Sequence, residues 1–174
     1  MILTGTEIRN QYELGRIEIS PFTDRALTTN SYDLRLGSSL LAYTGDVLDP
    51  RANNPYETIL LDDGGWEMKP GDFLLGATME RIGSDHFVPI IHARSGTARL
   101  GLFVHVTADL IDIGSYGCST LQLHATLPVR LYPGMPIAQV SFWVPSGEIR
   151  LYDGKYIRSR GPVPSLAYLD GGAR

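Results

Sequence analysis

Glycine and proline punctuate this chain so densely that long regular elements have little room. Its 174 residues include 19 Gly and 11 Pro. Between them lie short runs in which apolar and polar residues alternate. Alternation with period two marks a strand with one buried face, and Gly and Pro supply the turns that join such strands. "SYDLRLGSSLLAY" places Tyr32, Leu34 and Leu36 on one face, Asp33 and Arg35 on the other. "WEMKPGDFLLGATMERI" reads as a strand, a Pro70-Gly71 turn and a strand. "STLQLHATLPVRLYPGMPIAQVSFWV" holds two or three strands around a second such turn, Pro133-Gly134. The two Pro-Gly turns, each leading into an apolar strand, form a weak internal echo rather than a repeat. "DPRANNPYE" reads as a loop. The pattern predicts a mainly β domain.

One short helix is expected, over "TGTEIRNQYELGR". Thr4 or Thr6 is the candidate N-cap, with Glu7 as capping-box partner of Thr4. Ile8, Tyr12 and Leu14 give a rough apolar stripe, and Gly15 offers a stop. At the other end, "DGKYIRSRGPVPSLAYLDGGAR" mixes basic residues, Gly, Pro and aromatics without periodicity. A lid over a site and a wrapped or frayed terminus are both open readings.

A hydrophobic share of 43% suits one core, so residues 1–174 are read as a single domain. A net charge of −4 argues against a general nucleic-acid binder, although a few placed cations suffice for a nucleotide. Cys118, the single cysteine, excludes an internal disulfide and any multi-thiolate metal site. The zinc deaminase signature, which needs Pro-Cys-x-x-Cys, is therefore out of reach. No apolar run approaches the roughly 20 residues of a membrane span, and no signal-peptide layout opens the chain. These features predict a cytoplasmic protein with neither a membrane nor a nucleic acid as partner.

Four segments concentrate polar groups. "ARSGTARLG" offers Arg94, Ser95, Gly96 and Arg99, a phosphate cradle or a plain polar loop. In "HVTADLIDIGSYG", Asp112 sits between apolar residues before a Gly turn. Its carboxylate either holds the turn or works in a site. His105 reads as a half-buried strand residue. In "GCSTLQLH", Thr120, Gln122 and His124 share the face opposite Leu121 and Leu123, which by pattern alone is a solvated face. The tail carries Tyr152, Lys155, Tyr156, Arg158 and Arg160.

Taken in order, these segments resemble the dCTP deaminase family of the trimeric dUTPase-like superfamily. "EIRNQYELGRIEISPF" and "SYDLRLG" resemble its N-terminal helix and first strand. "ARSGTARLGLFVHVTADLIDIGSYGC" resembles its central motif, R-S-S-x-x-R-x-G followed by H-x-T-A-x-x-I-D-x-G. "LPVRLYPGMPIAQVSFW" resembles the strand pair that follows, and "GKYIRSRGPVPSLAYLD" the C-terminal segment. The resemblance implies a distorted jelly-roll or β-barrel subunit with a short N-terminal helix. It implies a homotrimer with shared active sites, and a closing segment from about residue 151 to 174. It implies a pyrimidine deoxynucleoside triphosphate as ligand, with Mg²⁺ on the phosphates and no zinc. By motif position, Arg94, Ser95, Gly96 and Arg99 meet phosphates, Arg99 in a neighbour's site. The backbone at Val106 and Ala108 borders the base. Asp112 holds the 3′-hydroxyl and helps position a water. Tyr152 and Lys155 close over the phosphates.

Four positions depart from the family pattern. The second Ser of R-S-S is Gly96, a common Arg is Leu110, and an aromatic after the I-D-x-G turn is Ser115, with Tyr116 adjacent. The fourth is Gln122, at the catalytic Glu of G-x-x-x-L-E. Hydrolytic deamination needs a group that takes a proton from water and returns it to N3 and the leaving ammonia. A carboxylate cycles in this way and a carboxamide does not. His124 lies two residues along, roughly 6–7 Å away by strand rise. Cleavage between α- and β-phosphates instead draws on cations and an oriented water, and those residues remain. The expected activity is therefore dUTP or dCTP diphosphatase, giving the monophosphate and pyrophosphate, with dUTP ahead. The alternatives are zinc-independent dCTP deamination to dUTP and ammonia, and a non-catalytic nucleotide-binding protein on the same fold.

Overall fold

The computed structural model describes residues 1–104 and 107–171. It opens with helix α1 (Gly5–Glu13) and continues through β1 (Glu18–Ser20), β2 (Tyr32–Arg35), β3 (Ser39–Tyr43), β4 (Tyr56–Leu60), β5 (Trp66–Met68) and β6 (Phe73–Gly83). Then come β7 (Val88–Ala93), a one-turn helix α2 (Ser95–Ala98), β8 (Leu102–Val104), β9 (Gly117–Ala125), β10 (Val129–Leu131) and β11 (Pro136–Trp143). Short 3₁₀ turns cover Asp24–Ala26 and Ala167–Gly171. No helix among the described residues is long and apolar enough to cross a membrane.

Helix α1 starts where its N-cap predicts. Thr4 accepts a hydrogen bond from the Glu7 backbone N–H, and Gly15 follows the helix at φ 70°. Ile8 is fully buried, and Tyr12 stacks on Phe22, which stacks on Tyr32. Two details differ from the sequence reading. Leu14 stays 63% exposed because it caps the helix instead of continuing its stripe. The Glu7 carboxylate accepts from Asn10 and Gln11 rather than reaching back to the cap, and those bonds hold it below the usual carboxylate range.

One sheet runs β4–β3–β6–β9–β8, with β1 paired to the far end of β6. A second runs β2–β11–β7, and β5 pairs with β10. The Pro-Gly echo acquires a physical form here. β5 and β10 lie antiparallel, and after the two turns their chains part into β6 and β11, one in each larger sheet. The core lies between the sheets. Leu34, Val140 and Phe142 on one side and Leu121, Leu123 and Leu102 on the other are essentially inaccessible. Burying such side chains contributes about 1.5–3 kcal/mol each. Because Leu121 and Leu123 point into this core, the pleat turns Thr120, Gln122 and His124 to the opposite face. The middle of β6 is buried on both faces, so something must cover that outer side too.

Candidate active site

The cover is the C-terminal segment. After β11 the chain returns along β9 and docks by backbone groups. Cys118 N–H donates to Ser159 O at 2.8 Å, Arg158 N–H to Tyr116 O at 2.6 Å, and Tyr152 N–H to Ile113 O at 2.8 Å. Two side chains complete the dock: Val163 N–H donates to Thr120 Oγ1 and Ser165 N–H to Tyr43 Oη. The approach depends on Gly117, at φ 153°, where a β-carbon would sit 2.7 Å from Ser159 N. Of the two open readings of the tail, the described part, to residue 171, is wrapped.

Between this segment and the sheet lies a cavity of about 600 Å³. Leu75 and Phe73 of β6 and Thr120 and Gln122 of β9 form its floor, and Tyr43 and Leu48 stand at one side. Ala108, Asp112, Tyr116, Tyr152 and Tyr156 line it elsewhere. Gln122 sits opposite Leu75 across β6–β9, and its Oε1 is buried with no hydrogen-bond partner among the described residues. The two polar residues beside it are committed. Thr120 holds Val163, and His124 Nδ1 donates to the Asp72 carbonyl at 3.2 Å. His124 is not among the residues lining the cavity. It is held between Phe73 and Phe103, its cross-strand neighbours on β6 and β8.

Asp112 precedes a turn closed by backbone bonds, Ser115 N–H to Asp112 O and Gly114 N–H to Ser84 O. Among the described residues no hydrogen bond involves its carboxylate, so the turn does not consume it. Among the described lining residues, Asp112 is the one that carries a carboxylate, and none carries a Lys or Arg cation.

Four of the predicted site residues thus meet in one cavity: Gln122, Asp112, Ala108 and Tyr152. Arg94, Ser95, Gly96, Arg99 and Lys155 do not line it. Arg94 pairs with Asp33 at 3.0 Å, Ser95 and Gly96 open α2, and the Arg99 guanidinium donates to Ser95 O. Lys155 pairs with Asp170 at 2.5 Å, a bond that raises its pKa. Val106 and His105 lie outside the described residues. The phosphate-type residues sit off the Ala125 end of β9, since β8, which follows α2, pairs there. The Asp112 turn leads into the Gly117 end, roughly 26 Å away along the strand. The sequence reading missed Tyr43, Leu48 and the 163–165 stretch. They reach the cavity through strand register and tail docking, neither of which leaves a local pattern. Among the described residues there is no group of three or more His, Cys, Asp or Glu suited to a metal.

A mainly β fold with this cavity between β9 and the returning tail defines the class. The family model for dCTP deaminase-like proteins matches residues 2–144, and the chain belongs to that family. Its relatives include the dCTP deaminase, dUMP-forming, of Hathewaya histolytica, 40% identical over 171 residues, covering 98% of this chain and 99% of that one. The dCTP deaminase, dUMP-forming, of Leptospira biflexa serovar Patoc is 41% identical over 172 residues, 98% of both chains. These relatives are enzymes. The fold is also that of the 2′-deoxycytidine 5′-triphosphate deaminase of Agrobacterium tumefaciens, at a TM-score of 0.66 and 21% identity. That match covers 83% of this chain and 48% of the other, so the chain spans about half the length of that solved protein.

Proposed function

We propose that the protein hydrolyses a pyrimidine deoxynucleoside triphosphate, dUTP or dCTP, to the monophosphate and pyrophosphate. The observation that carries this reading is Gln122, a carboxamide in the wall of the cavity whose buried Oε1 has no partner among the described residues. Forming dUMP from dCTP, as the relatives' names describe, takes two hydrolyses: one replaces the 4-amino group and one splits pyrophosphate from the α-phosphate. Gln122 cannot carry the proton that the first requires. His124, the candidate substitute, is turned to the Asp72 carbonyl and does not line the cavity. The second hydrolysis needs none of this. A water attacks the α-phosphorus, its proton passes toward the Asp112 carboxylate, the bond to the bridging oxygen breaks, and pyrophosphate leaves.

Charge argues for how the ligand lies. A triphosphate would be repelled from a cavity whose one charged residue, among those described, is Asp112, so base and sugar fill it and the phosphates sit at its mouth. Arg94, Ser95, Gly96 and Arg99 are too far along β9 to serve the same chain's Asp112. They serve a site built with another copy, in a homotrimer with shared sites. Lys155 and Tyr152, with the segment from about 151 onward, close from the near side, and the chain works as one domain. Mg²⁺ fits as a passenger on the phosphates, where it would neutralise charge on the leaving pyrophosphate; a single carboxylate beside substrate phosphates is a usual donor set for it.

The test incubates the protein and Mg²⁺ with dUTP and with dCTP and follows pyrophosphate and ammonia separately. Pyrophosphate without ammonia is expected. Ammonia from dCTP without pyrophosphate overturns the reading.

A further inference from the structure

Strand β4 ends the larger sheet. It pairs with β3 on one side and, among the described residues, with nothing on the other. Two backbone bonds frame the pairing with β3: Leu61 N–H donates to Ser38 O at 2.9 Å, and Thr44 N–H to Pro55 O at 3.1 Å. Antiparallel neighbours exchange bonds at every second residue. Glu57 and Ile59 therefore direct their backbone groups to β3, opposite Ala42 and Leu40. Tyr56, Thr58 and Leu60 turn theirs outward, and among the described residues no hydrogen bond takes them. Proteins usually blunt such an edge with Lys, Pro, a bulge or a very short strand. The opposite edge of the sheet, β8, is short, Leu102–Val104. β4 carries no such device between Tyr56 and Leu60: its ladder to β3 is unbroken, and its one charge is Glu57. Tyr56 is 45% exposed and Leu60 78%.

The order of residues makes this edge complementary to itself. Set antiparallel to a second copy, about a twofold axis through Thr58, Tyr56 meets the partner's Leu60, Leu60 meets the partner's Tyr56, and Thr58 meets the partner's Thr58. These are the residues with outward backbone groups, so each pair exchanges both bonds. An aromatic side chain faces an aliphatic one at either end, and Thr faces Thr at the centre, all favourable cross-strand pairs. Glu57 meets the partner's Ile59 and no like charge. Neighbouring registers are worse. Centred one residue earlier, Glu57 opposes the partner's Glu57; centred one residue later, Tyr56 faces the partner's Asp62, beyond the strand. We infer that β4 is a docking edge for a second copy of this chain, which continues the sheet through an isologous contact. The contact is twofold, so it is distinct from any threefold interface and joins one assembly to another. It is also small, so it forms as concentration rises. One hairpin connects it to the cavity. Tyr43, the cross-strand partner of Tyr56, and Leu48, Pro50 and Asn54 of the loop between β3 and β4 all line the cavity, so the docked strand braces that wall.

The experiment measures mass by light scattering on the full chain, from about 1 μM to about 1 mM, the range in which a small contact associates. The mass is expected to rise at least twofold, whatever the number of chains in the dilute assembly. Thr58→Lys sets like charges against each other on the axis and should hold the mass at its dilute value; Thr58→Glu should do the same. Mixing the two variants sets Lys against Glu and should restore the rise. Hydrogen exchange on the unaltered protein reads the register. The amides of Tyr56, Thr58 and Leu60 should slow by about tenfold or more as concentration rises, while those of Glu57 and Ile59, already bonded to β3, should not change. A constant mass, a rise that Thr58→Lys leaves intact, or no recovery on mixing overturns the inference. Protection of the outward amides without a rise in mass also overturns it, and gives the edge to another segment of the same chain. If either variant does not fold, the mass and the alternating exchange of the unaltered protein still decide.

Discussion

The ring of Tyr116 lies on the backbone of Gly83, so closely that a β-carbon there would sit 2.3 Å from the ring's Cδ1. Gly83 ends β6, and Tyr116 lines the cavity just before β9 begins. The contact sets one wall of the site. Burial first, and then the hydrogen bond with Asp85, push the Tyr116 phenol up to about 12.

Gly83→Ala is therefore expected to push this ring into the cavity. Overpacking of this kind costs about 1–3 kcal/mol. Urea denaturation should show the loss, and KM should rise more than kcat falls if, as proposed, the cavity that Tyr116 lines takes base and sugar rather than the phosphates. Unchanged KM would mean that the ring does not wall the nucleotide.

A second stability prediction concerns Glu80, 1% exposed, whose carboxylate accepts from Arg35 twice: from the backbone N–H at 2.8 Å and from Nε at 2.6 Å. Arg35→Met strips the charge partner and leaves the carboxylate buried. The expected cost is about 3 kcal/mol, the low end for a broken buried pair, since the Arg35 side chain is itself a third exposed. Adding Glu80→Leu should recover only part of it, because the Arg35 N–H then loses its acceptor. Chemical denaturation of both variants checks the order.

Cys118 offers a clean probe, being the single cysteine and part of the cavity wall. Burial pushes its thiol above the ordinary range, with Arg81 pulling weakly the other way. A raised folded pKa means that the neutral thiol favours the fold. That contribution is whole below the unfolded thiol's pKa and fades as pH climbs through the higher folded value. Iodoacetamide should thus label the native protein more slowly than the urea-unfolded chain at pH 8. The native rate should rise above pH 9, and nucleotide should suppress it. Equal rates at pH 8 would show that the thiol is not shielded.

How far these features could be read from the sequence depends on what kind of interaction encodes them. Alternation placed Leu34, Leu121 and Leu123 in the core and Gln122 on the far face, because burial acts residue by residue. Thr4 and Thr6 bracketed the start of α1, and Thr4 is the cap, because capping is local. The pairing of β5 with β10 left no such trace: register is set between segments some 60 residues apart in sequence. The α2 turn, Ser95–Ala98, has no apolar period to announce it. The tail docks largely through Ser159 O, Arg158 N and Tyr152 N, groups that every residue carries, so its position over β9 is invisible in side-chain pattern.

Asp112 is exposed to the cavity, and no described residue is hydrogen-bonded to its carboxylate, so Asp112→Asn should leave stability within about 0.5 kcal/mol. Pyrophosphate release should fall by about 10²–10⁴-fold if the carboxylate takes the water's proton. A fall in kcat with KM nearly constant is the expected split. A large KM change with kcat intact would assign Asp112 to sugar binding alone.

Gln122→Glu tests the division of the two hydrolyses. It places a group that can cycle a proton on the cavity wall, at a buried oxygen with no partner among the described residues. Ammonia release from dCTP should then rise about 10²-fold or more over the unaltered protein, the usual contribution of a general acid–base group. On the proposed reading, pyrophosphate release from dUTP draws on Asp112 and on cations that the change does not touch, and it should weaken through KM, because a carboxylate would oppose the uracil carbonyls. Following both products from both nucleotides separates these effects. Ammonia release that does not respond to the carboxylate would place the proton carrier elsewhere and remove Gln122 from the centre of the reaction.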